Sequence, residues 1–289
     1  MHMKKCILFA LLFIFLVSCS QEAGGQYAYR RVLRISDGAV IPFDSMIHEL
    51  QGVDIVFIGE SHDREKDHQA ELDIIRAMYK KGSRMGIGLE MFRADSQNTL
   101  EGWINGSVDQ DTFIRAYYNN WPMPWPFYRD ILLYAREKKI PMVGLNVPDR
   151  IAEKVAENGF KSLGREELAK LPPGISCNVD PGYMDFIERA YEAHNMKKER
   201  FIFFCEAQML WDKAMAWHLI EYMKKHPGRE MVVLAGVGHS WKRGIPEQVK
   251  IDASYTFKVV LPGVPYKTDT RSITTRDADY ILLGSQAGH

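Results

Sequence analysis

The sequence has few cysteines, no excess of either charge and only one extended apolar run. Four of its 289 residues are cysteine, and 37 basic side chains balance 37 acidic ones, so nucleic acid is not expected as a partner. Cys6 and Cys19 lie near the N-terminus, which leaves Cys177 and Cys205 for the folded domain. These two could pair, but no metal-binding pair of cysteines is present. The fold is therefore not expected to depend on disulfides.

Familiar catalytic motifs are also absent. No HExxH segment and no G-x-S-x-G segment occurs, which removes the signatures of a zinc-peptidase helix and of a serine nucleophile elbow. With 46% hydrophobic residues, the roughly 270 residues after the N-terminal run are enough to bury a full core. We therefore expect one large globular domain over residues 31–289.

The apolar run lies at the N-terminus and has the features of an export signal. Two lysines precede residues 6–17, a stretch too short to span a bilayer comfortably. It ends in Leu-Val-Ser-Cys, which resembles a bacterial lipobox with Cys19 as the lipidated residue. The alternative is an ordinary signal peptide with an incidental cysteine. We expect a lipoprotein signal peptide at 1–18, a tether at 19–30 and a lipid-anchored protein of the bacterial cell envelope.

Downstream, short apolar runs alternate with segments of helical spacing. The runs predict strands and are VDIVFI, MGIGL, MVGLN, FIFF, MVVLA and YTFKVVLP, with YILL near the C-terminus. Helices are predicted between them, over residues 64–81, 127–139 and 209–225. Strands separated by helices are typical of right-handed βαβ units. The pattern predicts an α/β fold with a mainly parallel β-sheet flanked by helices.

Two segments interrupt the alternation, at about 105–130 and 162–200. The first contains YYNNWPMPWPFY, which is too aromatic and proline-rich for a solvated linker, and the second has Tyr183, Ile187 and His194 near one helical face. We predict that they form an inserted helical, aromatic-rich lobe over the strand ends. Aromatic residues at helical spacing most often pack in a core, although a flat ligand or a protein partner would use the same residues.

Polar and reactive side chains follow the predicted strands. The carboxyl ends of parallel strands meet at one edge of a sheet, where ligands bind, so residues distant in sequence are expected to share a site. Two histidines with carboxylates could bind a divalent metal, a carboxylate-held histidine could act as a general base, or the set could be a structural hydrogen-bond network. The expected polar network comprises Glu60, His62, Glu90, Glu206, Gln208, Asp212 and His239.

The ordered series of motifs resembles the ChaN-type haem-binding lipoproteins, which belong to the wider Tiki/TraB and erythromycin-esterase-like group. The matching segments are FIGESH, GLEMF, residues 128–135, EAQ with Asp212, and GVGH followed by Gly-Ile-Pro. They extend over residues 54–246. The resemblance implies haem bound near a homodimer interface and a role in haem and iron uptake. It also implies an outer-membrane location and a haem receptor in that membrane as a partner.

In that family the haem iron is thought to be held by a tyrosine, and the resemblance leaves Tyr128 and Tyr183 as the two candidates. His194 and Trp125 are the other side chains expected to bind the cofactor. The remaining assignments come from residue chemistry. They are apolar walls from Trp121, Trp125 and Phe127, and propionate partners in Arg129 and Lys213.

The same resemblance supplies a rival function. Tiki-like members are metal-dependent proteases and erythromycin-esterase-like members are hydrolases. In such an enzyme the catalytic residues Glu60, His62, Glu90 and His239 would activate water, with or without a divalent ion. Fold kinship does not transfer activity, so an enzyme is the second hypothesis. A third is a lipid-anchored surface protein whose aromatic lobe binds another protein.

Overall fold

The computed structural model describes residues 27–190, 197–263 and 273–284. The predicted signal peptide and the predicted lipidation site Cys19 lie outside the described residues, as does His194. In the part of the chain that is described, no helix is both long and apolar enough to cross a membrane.

The last residues of the predicted tether are packed on the domain. Tyr29 is buried and its hydroxyl donates to Asp67 Oδ1 at 2.9 Å. The backbone N–H of Ala28 donates to Asp73 Oδ2 at 2.8 Å. The packed domain therefore includes residues 27–30, ahead of the predicted boundary at residue 31.

Eight strands and eleven α-helices make up the described residues. The strands are β1 (Arg31–Arg34), β2 (Val40–Pro42), β3 (Ile55–Glu60), β4 (Met85–Arg93), β5 (Met142–Asn146), β6 (Glu230–Gly236), β7 (Phe257–Pro262) and β8 (Tyr280–Leu283). The helices are α1 (Phe43–Glu49), α2 (Glu65–Lys80), α3 (Gln97–Asn105), α4 (Gln110–Asn120), α5 (Trp125–Lys138), α6 (Asp149–Asn158), α7 (Arg165–Leu168), α8 (Pro181–Ala190), α9 (Lys198–Lys225), α10 (Val237–Ser240) and α11 (Ile245–Asp252).

The described strands form one sheet in the order β2-β1-β8-β7-β3-β6-β4-β5. β1 is antiparallel to β2 and β8, and every other neighbouring pair is parallel. The predicted α/β fold with a mainly parallel sheet is confirmed. Because β3, β6, β4 and β5 are neighbours and parallel, their carboxyl ends form one continuous edge.

The FIFF segment is not a strand, and that prediction is wrong. It lies in α9, which begins at Lys198 rather than at the predicted Met209. Cys205 packs in one core cluster, whereas Ala207 and Leu210 pack in another. Because α9 is buried on more than one side, its apolar residues follow no amphipathic period. A short apolar run in such a helix has the same pattern as a buried strand.

Side chains of the central strands alternate between two cores, one on each face of the sheet. On β3, Val56 and Ile58 join one cluster, and Phe57 joins the other. The first lobe segment packs in the Val56 cluster, and α8 of the second segment packs in the Phe57 cluster. The two lobe segments therefore lie on opposite faces of the sheet. Their aromatic residues are mainly core, and the buried ones are Phe113, Tyr117, Trp125, Tyr128, Tyr183 and Phe186.

The two cysteines of the folded domain do not pair with each other. Cys177 and Cys205 are both buried free thiols. Burial raises the pKa of each thiol to about 12, so neither is a thiolate at neutral pH.

Candidate functional site at the strand ends

A cleft of about 390 Å³ opens at the carboxyl ends of β3, β4, β5 and β6. The connection between α4 and α5 closes one side, and α9 closes another. Its side-chain lining is Glu60, His62, Glu90, Trp121, Pro122, Asn146, Asp149, Glu153, Gln208, Trp211, Val237 and His239, with Gly236 and Gly238 contributing backbone. The predicted edge of the sheet is therefore the place where five members of the predicted polar network meet.

Glu60 is the centre of the first half of the site. Its Oε1 accepts hydrogen bonds from His62 Nδ1 at 2.6 Å and from the Tyr128 hydroxyl at 2.5 Å. Its Oε2 lies 2.7 Å from His68 Nδ1. Burial alone would raise the pKa of Glu60, but the bonds from His62 and His68 outweigh burial and lower the pKa to about 2. Glu60 is therefore an ionised carboxylate in the interior.

His68 and Glu71 extend this cluster, and the sequence analysis missed both. His68 Nε2 faces the backbone oxygen of His62 at 3.1 Å, which requires a proton on Nε2. His68 Nδ1 lies between Glu60 Oε2 and Glu71 Oε2, the latter at 3.2 Å. Burial would lower the pKa of His68, but the bonds from both carboxyl groups raise it to about 11. Their spacing of three residues on one helix was the available sequence signal.

A second histidine and carboxylate pair occupies the other half of the site. His239 Nδ1 bonds Asp212 Oδ1 at 2.8 Å, and the Tyr183 hydroxyl donates to Asp212 Oδ2 at 2.7 Å. Burial would lower the pKa of His239, but the charge of Glu90 and the bond to Asp212 raise it. Burial raises the pKa of Asp212. The motif GVGH thus supplies His239, and Asp212 on α9 holds its Nδ1.

Glu90 lies between the two histidines. Its Oε2 accepts the backbone N–H of Gly236 at 2.6 Å, and its Oε1 is 3.7 Å from His239 Nε2. A side chain at position 236 would come within 2.9 Å of His62 Cε1, so glycine is required for this close approach. Burial would lower the pKa of His62, but its bond to Glu60 and the charge of Glu90 raise it to about 9. Glu90 therefore lies between two histidines whose pKa values are both raised by neighbouring carboxyl groups.

Of the three predicted network members on α9, two lie at the cleft and one does not. Gln208 lines the cleft, and Asp212, four residues later on the same helix face, supports His239. Glu206 Oε2 instead accepts the backbone N–H of Phe160 at 2.7 Å. The prediction that Glu206 belongs to the network depended on FIFF being a strand that ends just before it. In a helix, residues 206 and 208 point in different directions.

Two polar atoms that α9 contributes to the cleft have no hydrogen-bond partner among the described residues. They are Gln208 Oε1, an acceptor, and Trp211 Nε1, a donor, and both are buried. Buried polar groups usually have partners, and an unpartnered pair at one cavity is available to a bound molecule or to water. The cleft therefore has both charged and neutral groups for a ligand.

Both tyrosines predicted as haem ligands are part of this buried network. Tyr128 is 2% exposed and Tyr183 is 1% exposed. Each hydroxyl is donated to a carboxylate, Glu60 and Asp212 respectively. Burial and the neighbouring charges of Glu60 raise the pKa of Tyr128, so its phenolate is disfavoured. The structure gives no support to either tyrosine as an iron ligand.

The three side chains predicted as apolar walls for haem do not lie together. Trp125 belongs to the core, and the Phe127 ring stacks on His68 with 5.4 Å between centroids. Trp121 does reach the cleft, where its ring meets His62 edge-on at 5.0 Å. Lys213, predicted as a partner for a propionate, lies on α9 and donates to the backbone oxygen of Ser176 at 2.7 Å. The lobe's described aromatics therefore do not form an exposed patch of the kind a protein-binding module needs.

Tyr118 is the exposed tyrosine among the described residues of the lobe, and no sequence pattern singled it out. It is 50% exposed on α4, whereas its neighbour Tyr117 is fully buried. The backbone N–H of Trp125, at the start of α5, donates to the Tyr118 hydroxyl oxygen at 3.1 Å. The Tyr118 oxygen therefore lies at the N-terminal end of α5 and at the surface. The sequence contained no signal that separates the two adjacent tyrosines, apart from helical phase.

The Glu60, His68 and Glu71 side chains are the one group in the described residues with ligand atoms close enough to hold a metal ion. Carboxylate oxygen and imidazole nitrogen suit zinc or iron, and the bond from His68 Nε2 to a backbone oxygen is a common support for a ligating histidine. All three side chains are buried, and Glu71 Oε1 has no hydrogen-bond partner among the described residues. A histidine protonated on both nitrogens satisfies the same contacts, so a metal would have to displace that proton.

Comparisons with known proteins give a family and a fold. A family model described as "Haem-binding uptake, Tiki superfamily, ChaN" matches residues 46–249. The structure of ChaN from Campylobacter jejuni, described as showing cofacial heme binding, is 20% identical, and the match covers 89% of this chain and 97% of that one with a TM-score of 0.68. A mutant of the erythromycin esterase EreC is 14% identical, with 76% and 72% covered and a TM-score of 0.49. No curated protein matches the chain in sequence.

Proposed function

The chain belongs to the haem-binding uptake family of the Tiki superfamily, the ChaN family, and from that premise we propose that it binds haem and takes part in haem and iron uptake. The observation that supports the proposal is Tyr118. Tyrosine oxygen is an established axial ligand of haem iron, and Tyr118 offers a tyrosine side chain at the surface. The ligand proposed is therefore Tyr118 rather than Tyr128 or Tyr183.

The surroundings of Tyr118 fit the rest of a haem. Arg115 is exposed one helical turn before it on α4, and Arg129 is exposed on α5. Arg115 donates to Thr112 and Arg129 pairs with Asp130, and at the surface both guanidinium groups have further donors for propionates. Leu133 is 36% exposed further along α5 and provides apolar surface. The porphyrin would lie over the α4–α5 surface and not inside the aromatic core.

A homodimer is part of this proposal. A single exposed tyrosine contacts one side of a flat ligand, and the other side of the porphyrin would remain in water. Because an exposed apolar face of that size favours association, a second copy of the chain is the partner that we propose to cover it. The Campylobacter protein is described as binding heme cofacially, which is consistent with two such sites facing each other.

The lipid anchor and the cell-envelope location are also proposals. Residues 1–18 have the pattern of a lipoprotein signal peptide, and Cys19 is the proposed site of lipidation. Attachment through lipid would place the protein at the bilayer surface, most plainly the outer membrane, where a haem receptor would be its partner. Metabolic labelling with a palmitate analogue in cells that produce the chain, and the loss of label in Cys19→Ala, would test the anchor.

Hemin titration tests the haem proposal. Wild type should show a Soret band that saturates. Tyr118→Phe keeps the ring but removes the ligand oxygen, and it should weaken binding by at least about tenfold, or about 1.4 kcal/mol. It should also abolish the charge-transfer band of an iron-phenolate complex. Tyr255→Phe, on another surface, is the matched control. An unchanged spectrum in Tyr118→Phe, with loss of the band in Tyr128→Phe or Tyr183→Phe, would restore the earlier assignment.

A second candidate function is hydrolysis in the cleft, which one geometric observation favours. His62 and His239 each have Nδ1 fixed by a carboxylate, so each directs its other nitrogen toward the space around Glu90. Glu90 is placed to act as a general base toward a water molecule, and His62, whose pKa is raised to about 9, is placed to act as a general acid toward the leaving group. If the protein is an enzyme, these residues and Glu60, which orients His62, are the ones that we propose to act.

An esterase and peptidase screen tests this candidate. If the cleft is catalytic, His62→Ala and His239→Ala should each lower activity by 10² to 10⁴-fold, the usual range for a general acid or base. His48→Ala, an exposed histidine on α1, is the control and should keep wild-type activity. Elemental analysis of the same preparations reports whether zinc or iron accompanies Glu60, His68 and Glu71. Activity that survives both variants would exclude the cleft.

A further inference from the structure

A second cavity, of about 550 Å³, lies along the free edge of β5 between α3 and the C-terminal half of α9. It shares no lining residue with the cleft at the strand ends. β5 is the last strand of the sheet, so one side of its backbone is not paired with another strand. We refer to this cavity as the edge groove.

An extended peptide is not the expected occupant of the edge groove. The Gln97 side chain donates to the backbone oxygen of Met142 at 3.0 Å and accepts the N–H of Gly144 at 3.1 Å. A side-chain amide therefore occupies the hydrogen-bonding positions that an added strand would use. We therefore expect the groove to bind a ligand that makes no hydrogen bonds to the backbone of β5.

His218 lies on the groove's α9 wall and can bind a metal centre, as can His226 at its basic end. Its Nδ1 donates to the backbone oxygen of Leu145 at 2.7 Å, which leaves the lone pair on Nε2. Among the described residues, Nε2 has no hydrogen-bond partner. Burial lowers the pKa of His218, so the imidazole is neutral at neutral pH. A neutral imidazole fixed through Nδ1 by a backbone oxygen is the arrangement of a ligating histidine.

The rest of the edge groove combines apolar walls with positive charge at one end. Ile104, Met142 and Val143 are apolar lining, and the Trp217 ring meets the His218 ring edge-on at 5.2 Å. Lys225 and Arg229 line the groove where α9 ends, together with His226.

Both acidic side chains of the edge groove already have partners. Glu101 accepts from Gln97 at 3.2 Å, and Glu221 pairs with Lys224 at 2.9 Å. The groove therefore suits a flat apolar molecule with anionic groups.

We propose that the edge groove is a second haem site, in which His218 Nε2 ligates the iron and the basic end of the groove binds the propionates. Imidazole is a common axial ligand of haem, and lysine and arginine are common partners of carboxylates. The site would be separate from Tyr118, since that residue lies on α4 and does not line the edge groove. The chain would then carry two haems with different axial ligands.

Hemin titration of wild type and five variants separates the two sites. Wild type should bind two hemin molecules per chain, one with a histidine-type and one with a phenolate-type spectrum. His218→Ala and His218→Gln should each bind one and lose the histidine-type spectrum, and added imidazole should restore it in His218→Ala. Tyr118→Phe should bind one and keep that spectrum, and the double variant should bind none. His48→Ala serves as the histidine control.

The outcomes separate failure of this site from failure of the proposed function. If His218→Ala and His218→Gln bind as many hemin molecules as wild type with the same spectrum, the edge groove is not a haem site, whatever Tyr118→Phe does. If only the histidine-type spectrum is present in wild type and only His218 variants lose it, the edge groove is supported and Tyr118 is not the ligand.

Discussion

Glu60→Ala should lower the free energy of unfolding by about 3–5 kcal/mol, the usual cost of removing one partner from a buried charge pair. The carboxylate accepts bonds from His62 and Tyr128 and pairs with His68, and the Glu60 side chain itself is fully buried. Without it, the buried Tyr128 hydroxyl loses its acceptor, and the buried His68 loses one of its two carboxyl partners. Urea unfolding followed by circular dichroism measures the change as a lower midpoint at constant slope.

Two further variants identify the cause of that loss. Glu60→Gln keeps the shape and one acceptor oxygen but removes the charge, so its stability should lie between wild type and Glu60→Ala. Glu137→Ala removes an exposed carboxylate from α5 and should change stability by less than about 0.5 kcal/mol. A loss below about 1 kcal/mol in Glu60→Ala would show that the network does not stabilise the domain.

The parallel sheet could be predicted because most of its strands are short apolar runs bounded by helical patterns. The order of the strands could not, since the local pattern of β3 or β6 carries no information about its neighbours. The FIFF segment was misread for a physical reason. Inside a helix that is buried on several sides, apolar residues follow the packing partners rather than one face. Only the tertiary structure shows that Cys205 and Leu210 belong to different clusters.

The candidate site was predictable where it depends on strand ends and not where it depends on helices. Glu60, Glu90 and His239 meet because parallel strands end at one edge, a rule that needs no coordinates. His68 and Glu71 enter from α2, and no strand-end rule finds them. Tyr128 was predicted as a haem ligand from the resemblance, and the structure shows its hydroxyl donating to Glu60, a contact that no sequence pattern indicated.

The sequence also could not predict which of the lobe tyrosines is exposed. Tyr117 and Tyr118 are adjacent and identical in chemistry, yet one is in the core and the other is half exposed. Which of the two reaches solvent depends on the rotation of α4 about its axis, and that rotation is set by packing against the sheet. The proposed haem ligand is therefore a consequence of tertiary structure.

Raising the pH should destabilise the domain between pH 6.5 and about 11, and His68 should account for much of the change. The pKa of His68 rises from 6.5 to about 11 on folding, so its contribution is complete below 6.5 and is lost as the pH rises through 11. His62, raised to about 9, acts in the same direction. Each such group contributes up to about 1.4 kcal/mol per pH unit within its window.

The two glutamates of the same cluster have opposite effects on the pH of greatest stability. The pKa of Glu71 rises from 4.5 to about 8, so its contribution also falls with rising pH, beginning at 4.5. The pKa of Glu60 falls from 4.5 to about 2, so its contribution is present above 4.5 and is lost as the pH drops toward 2. Greatest stability is therefore expected on the mildly acidic side of neutrality.

Urea unfolding of wild type and His68→Gln from pH 5 to pH 10 tests the assignment to His68. Lysines and exposed tyrosines titrate equally in both proteins, so the difference between the two curves isolates the cluster. That difference should be largest near pH 6 and should shrink steadily as the pH rises, because the wild-type advantage depends on a proton that alkaline solution removes. His48→Gln should follow the wild-type curve throughout. A difference that stays constant from pH 6 to pH 10 would mean that His68 is neutral in the folded protein and that its bond to Glu60 does not depend on charge.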